Sequence, residues 1–184
     1  MPENKLFPPE GLRPPAEFTM VSLKEAAERH QILEAVAHRC GPDHTLHFSL
    51  DGIAGEMPRS QAVAPWVSGA SREIAVLSRV GRPTCFTVTA LRADAKGAPV
   101  ALLSRREAQD QAMDYFLSHL EPGMVLVCRV TRLERFGVFL DVGCGIAAML
   151  PIERISVSRI SHPAQRFREG QKILAAVYAI DREA

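Results

Sequence analysis

The sequence predicts a mainly β protein of two tandem five-stranded β-barrels joined by a helix, the second lacking its last strand. The chain repeats itself once at long range. Each copy holds several short runs rich in Val, Ile and Phe, broken by Gly or Asp, which is the pattern of short strands. Between the copies, Ser104-Arg105-Arg106-Glu107 is a capping box that opens a helical stretch.

Residues 1–21 come first. They hold Pro2, Pro8, Pro9, Pro14 and Pro15 and show no periodicity, so they are expected to be a disordered tail. Ser22-Leu23-Lys24-Glu25 is another capping box and should start a short helix reaching about Gln31. This helix leads into the first barrel, residues 22–104.

The repeat defines the rest. Gly52-Ile53-Ala54-Gly55-Glu56-Met57-Pro58 matches Gly145-Ile146-Ala147-Ala148-Met149-Leu150-Pro151 at an offset of 93. Gly81-Arg82-Pro83-Thr84 matches Gly170-Gln171-Lys172-Ile173 at an offset of 89, and Leu33–Cys40 matches Met124–Thr131 at 91. Three segments in one order at nearly one offset mark a duplicated domain; the unit is too long for a solenoid repeat. In the second copy the strands fall at about 124–133, 136–142, 146–151 and 172–180. Five such strands suit a small closed barrel, which leaves no sheet edge open.

The helix of about 105–119 presents Ala108, Met113, Phe116 and Leu120 near one face. Pro122-Gly123 ends it, so residues 105–120 read as a linker that sets the spacing of the barrels. The second barrel takes residues 121–184. In the first copy, strand Thr84–Arg92 is followed by a turn and a closing strand, Val100–Ser104. The second copy reaches Asp181 where that turn should begin, so the natural chain is expected to continue by a turn and an apolar strand of the usual 5–6 residues or so.

Composition narrows the function. Apolar residues make 47% of the 184, charged residues 23%, and the net charge is +1, so no global field draws the chain to nucleic acid. The excess is local: residues 121–184 carry 9 basic and 7 acidic side chains, against 13 and 14 before them. No stretch approaches the roughly 20 apolar residues of a membrane span. No apolar leader is present, and Cys40, Cys85, Cys128 and Cys144 are irregularly spaced. Free thiols, three of them acting as small hydrophobes in apolar strands, and a cytoplasmic location are expected.

Arg135-Phe136-Gly137-Val138-Phe139-Leu140-Asp141 carries the most information about function. Two rings on the surface of a strand would stack unpaired bases. Gly137 between them would permit close approach by a ligand or another backbone. Residues three apart on a regular strand face opposite sides, so the rings could instead be core; a twist or bulge at Gly137 would bring both to one surface. Some thirty residues on, Arg154, Arg159, Arg166, Arg168 and Lys172 form a basic loop suited to phosphates, or merely a solvated face. The first copy has Arg59, Arg72, Arg79 and Arg82. Trp66 reads as a loop anchor or a stacking ring. His38, Cys40, His44 and His47 match no common zinc spacing, so no metal and no other cofactor is expected. No phosphate loop, metalloprotease or nucleophile-elbow motif occurs, and no carboxylate pair stands out, so catalysis is not expected.

These residues resemble a known family. Pro122–Val130, Phe136–Asp141, Gly145–Pro151, Gly170-Gln171 and Ala176–Asp181 together resemble the S1-type RNA-binding domain named after a bacterial ribosomal protein, a five-stranded OB-type barrel. The stretch Ile155–Pro163 is similar to a clostridial subgroup of S1-like proteins. With the weaker first copy, the resemblance covers about residues 30–184.

The resemblance implies RNA contact by Phe136, Phe139 and Asp181. Together with the basic residues, the expected site is Arg135, Phe136, Phe139, Arg159, His162, Arg166, Arg168, Lys172 and Asp181. Pro151 stands where the family has a histidine. A weaker site in the first barrel would use His44, His47, Arg79 and Arg82, with His44 and His47 spaced as Phe136 and Phe139 are. The implied function is non-catalytic binding of single-stranded RNA, specifically mRNA at the small ribosomal subunit in translation, by a monomer. Two other readings stand beside it. One is an accessory RNA-binding region of a larger enzyme, such as an exoribonuclease or a fused isoprenoid-pathway reductase. The other is a protein-interaction module, favoured by Pro151 and by His44 and His47.

Overall fold

The computed structural model describes residues 4–63 and 69–181. Two compact units divide the chain at Leu12/Arg13 and at Asp110/Gln111. Among the described residues, no helix is long and apolar enough to cross a membrane.

Residues 13–110 form a closed five-stranded barrel. Its strands are β1 (Leu33–Cys40), β2 (Leu46–Leu50), β3 (Ile53–Met57), β4 (Pro83–Ala93) and β5 (Pro99–Ser104), in the order β1-β2-β3-β5-β4. Only β3 and β5 run parallel; the other pairs are antiparallel. Alternation on β2 sends Leu46, Phe48 and Leu50 inward, where Phe48 meets Phe86 with ring centroids 5.6 Å apart. Helix α1 (Met20–Glu28) packs on β4 and adds Leu23 and Ala26 to this core. Its cap is Thr19, not the expected Ser22. Ser22 is the third helical residue and completes the box from inside, its hydroxyl accepting from Thr19 N. The helix accordingly ends at Glu28, short of Gln31. Two helices missed by the strand pattern, α2 (Arg59–Ala62) and α3 (Gly69–Leu77), occupy the β3–β4 connection. Trp66 lies outside the described residues.

Helix α4 (Arg105–His119) starts where Ser104 caps it, its hydroxyl accepting from Glu107 N at 3.0 Å. Its buried stripe is Ala108, Ala112, Phe116 and Leu120, a strict four-residue spacing that leaves the expected Met113 at the surface. Its residues to Asp110 belong to the first unit and those from Gln111 to the second.

The second unit holds a four-stranded antiparallel sheet of order β8-β7-β6-β9. The strands are β6 (Val125–Glu134), β7 (Gly137–Gly143), β8 (Ile146–Pro151) and β9 (Lys172–Ala176). Leu126, Cys128, Val130, Val138 and Leu140 form its apolar side. β9 ends at Ala176, four residues before the sequence pattern suggested. The duplication reaches single hydrogen bonds. Gly81 N donates to Ala37 O of β1 at 2.9 Å, and Gly170 N donates to Val130 O of β6 at 2.7 Å. Both copies thus tie the turn before their fourth strand to the middle of their first.

The expected disordered tail is corrected over residues 4–12, which pack into the second unit as a strap. Asn4 is 1% exposed. Its amide nitrogen donates to the carbonyls of Val127 and Val142, and Val127 N donates to its Oδ1 at 3.0 Å. Asn4 so fills the gap where β6 and β7 diverge. Cys144 N donates to Pro8 O, and Arg129 donates to Glu10 O. Composition misleads here because the polar bonds of Asn4 and the packing of Phe7 against Tyr115 and Phe116 hold the segment through partners far away in sequence.

The strap ends on a buried carboxylate. Asp141 accepts from Glu10 N, Gly143 N and Gly145 N at 2.8–3.0 Å. Burial, with the Glu10 carboxylate adding to it, nevertheless pushes its pKa from 3.8 to about 6. The folded chain therefore holds this proton more tightly than the unfolded one. The group's contribution to stability is greatest below pH 3.8 and is lost as the pH rises to about 6. Between pH 5 and pH 7 the melting temperature of the second unit is expected to fall further in the wild-type protein than in Asp141→Asn. Thermal melts of both at the two pH values check this; equal falls would contradict it.

Candidate nucleic-acid interface

The β6–β7 hairpin places the two rings. Phe136 lies in its turn, not on the strand, and Phe139 lies on β7. The alternation of a regular strand therefore does not apply between them, and the rings meet edge to face with centroids 6.1 Å apart, at 88°. Phe136 is 56% exposed and Phe139 half-buried. Neither belongs to the buried core. Gly137 is required by β8 beside it: an added Cβ would lie 2.5 Å from Leu150 O. Ile152 N closes the turn by donating to Phe136 O at 3.0 Å.

A bulge on β6 decides which residues flank the rings. The register shifts between Val130 and Arg132, so Arg132, not Thr131, pairs with Phe139. On the other side Phe139 pairs with Met149, which is 52% exposed. Arg132, Phe139 and Met149 thus form one outward row across three strands. Arg132 also forms an ion pair with Glu134. Arg132 and Met149 were missed in the sequence because their place depends on register, which local pattern does not reveal. Pro151 pairs with Gly137, next to Phe136.

The basic turn is tied to the same strand. Gly170 N donates to Val130 O, and Val130 N donates to Gln171 O at 2.9 Å, two residues from Arg132. Arg166 and Arg168 are exposed and line a concave stretch from Ala164 to Gln171. Lys172 is exposed at the start of β9, paired with Arg129. Arg135 is exposed in the hairpin turn itself. Arg159 is exposed in the loop of 155–162, and Asp181 is exposed beyond β9. His162 is half-buried, and its Nδ1 accepts from Ala164 N at 3.1 Å, capping the short turn Pro163–Gln165.

In the first unit the analogous residues are less concentrated. His44 sits in the β1–β2 turn at a φ of 61°, and His47 lies on β2 between Arg39 and Glu56. Glu56 pairs with Arg92. The turn carrying Arg79 and Arg82 is bound to Ala37, two residues from Arg39. His38, Cys40, His44 and His47 do not gather: among the described residues no three His, Cys, Asp or Glu side chains are placed to hold a metal. The four cysteines are free thiols, and Cys85, Cys128 and Cys144 are buried. Burial, then the nearby Asp141, pushes the Cys128 thiol up to about 11, which keeps it protonated and unreactive.

Comparison with known proteins bears on this unit. Residues 119–184 match the family described as the S1 RNA binding domain. The chain is similar to a small ribosomal subunit protein bS1 homolog of Bacillus subtilis, 39% identical over 67 residues, which are 36% of this chain and 17% of that protein. It is likewise similar to small ribosomal subunit protein bS1 of Synechococcus elongatus, 39% identical over 90 residues, 49% of this chain and 28% of that protein. That of Rickettsia conorii is 31% identical over 86 residues, 45% of this chain and 15% of that protein. The chain therefore spans less than a third of the length of each of these relatives. A multidomain protein with nucleic acid binding domains from Streptococcus pneumoniae covers 83% of this chain and 46% of its own, at 10% identity. Its TM-score is 0.23, too low to carry an argument.

Proposed function

We propose that the second unit binds single-stranded RNA with little sequence preference. Bases stack on Phe136 and Phe139, while Arg135, Arg166, Arg168, Lys172 and the more distant Arg159 neutralise phosphates. Asp181 and His162 sit at the margin, His162 as a turn cap. The observation that carries this reading is the meeting of two surface rings, 6.1 Å apart, in the β6–β7 hairpin, whose strand β6 is bonded to the basic turn. The match of residues 119–184 to an RNA-binding family supports it independently. Every base has a π-face, so such a platform reads stacking rather than sequence. The likeness to small ribosomal subunit proteins supports a place in translation, with cytoplasmic mRNA as the ligand and the small subunit as a partner. In this reading the protein is a monomer that binds and catalyses nothing. The first unit, with imidazoles in place of phenyl rings, binds more weakly through His44, His47, Arg79 and Arg82.

Filter binding to poly-uridine over a range of salt tests it. Each phosphate contact should add about −0.7 to the slope of log K against log salt. Replacing Arg166 and Arg168 together by Gln is expected to flatten the slope by about 1.4, two such contacts. An unchanged slope would remove the basic turn from the interface. Absence of binding at low salt would remove the function.

A further inference from the structure

We infer that Tyr178 and Arg154 form a second stacking station for single-stranded RNA, lengthening the path that begins at Phe136 and Phe139. The inference rests on the RNA-binding reading above. The guanidinium carbon of Arg154 lies 3.4 Å from the centroid of the Tyr178 ring. Tyr178 still keeps 67% of its surface exposed, so the cation covers one face and leaves the other to solvent. Neither side chain belongs to the core. Tyr178 lies beyond the end of β9 at Ala176, and Arg154 ends the short turn Ile152–Arg154.

Both backbones are nevertheless fixed. Val177 N donates to Met124 O, and Gly123 N donates to Val177 O, each at 2.8 Å. Ile152, which opens the turn carrying Arg154, is bonded to Phe136 O. The turn that carries Arg154 is thus joined through its first residue to the backbone of Phe136. A cation held on one face of an aromatic ring presets its orientation at little entropic cost. The free face then accepts a base, and the guanidinium edge is available to the adjoining phosphate. Pro151, paired with Gly137 beside Phe136, offers no ring of its own between Phe136 and the turn that carries Arg154. Longer oligonucleotides gain from the station and short ones do not.

The experiment compares tetrauridylate and decauridylate binding by the full chain, wild type and variants, at low salt. Tyr178→Ala is expected to weaken the decamer roughly 5- to 100-fold, as loss of one stacked base does, and to leave the tetramer unchanged. Tyr178→Phe keeps the ring and is expected to bind as wild type. Arg154→Gln is expected to weaken the decamer and flatten its salt slope by about 0.7. Equal losses at both lengths, or no loss at either, would overturn the inference while leaving the Phe136–Phe139 platform intact. Failure of the wild-type chain to bind either oligonucleotide would overturn the RNA reading itself.

Discussion

Replacing Phe136 and Phe139 together with alanine is expected to lower affinity for single-stranded RNA by two to four orders of magnitude, with a modest change in melting temperature. Stacking one base on an aromatic ring contributes roughly 1–3 kcal/mol, and each ring offers one such surface. The two rings touch, so the double substitution should cost less than the sum of the single ones. Phe136 is more than half exposed, and its truncation opens no cavity. Phe139 is half-buried between Arg132 and Met149 and should show some loss of stability. A core phenylalanine would behave differently, costing about 3–5 kcal/mol of stability. Binding and thermal melts on the same variants separate the cases. A large fall in melting temperature, with unchanged affinity per folded molecule, would place the rings in a structural role.

Asn4→Ala is expected to destabilise the second unit by about 3 kcal/mol or more. The substitution strips partners from three backbone groups at once: Val127 N–H, Val127 C=O and Val142 C=O. Each buried group left unsatisfied costs about 1–3 kcal/mol. A whole domain is stable by only ~5–15 kcal/mol, so the loss is a large share. Asn4→Asp should do no better, since a carboxylate accepts from Val127 N but donates to neither carbonyl. Denaturant titration gives the magnitude, and hydrogen exchange at the Val127 amide locates it. Unaltered exchange at Val127 would mean that the strap does not hold the strands.

The sequence revealed what is local. Strand runs, the Ser104 cap of α4 and the duplication rest on neighbouring residues or on self-similarity. The duplication aligned Gly81 with Gly170, and the bonds that these two glycines make to their first strands appear only in the structure. What was hidden depends on distant partners. Asn4 binds groups 123 and 138 positions away, and nothing around it in a proline-rich stretch reports them. The site shows the same division. Phe136, Phe139 and the basic turn were legible from residue type and spacing. Whether the rings met was not, because it depends on Phe136 lying in the turn. The neighbours Arg132 and Met149 depend on a one-residue bulge, and Tyr178 depends on β9 ending early. The first helix starts three residues earlier than expected because both Thr19 and Ser22 can cap, and the chain enters at Phe18, whose N–H is bonded to the distant Asp51.

The strap also sets a timetable for synthesis. Asn4 leaves the ribosome 123 residues ahead of Val127. At roughly 5–20 residues per second, that is a delay of about 6–25 s. Over that interval the nascent segment has no docking site, while residues 13–110 emerge with every strand of their own barrel present. The first unit can thus fold while the chain is still being made, and the second can be completed only after a closure spanning more than a hundred residues. Such a closure is slow relative to local pairing but costs little extra per added residue. Maturation should therefore proceed in two phases, and a chaperone that engages exposed nascent segments would meet the strap in the gap between them.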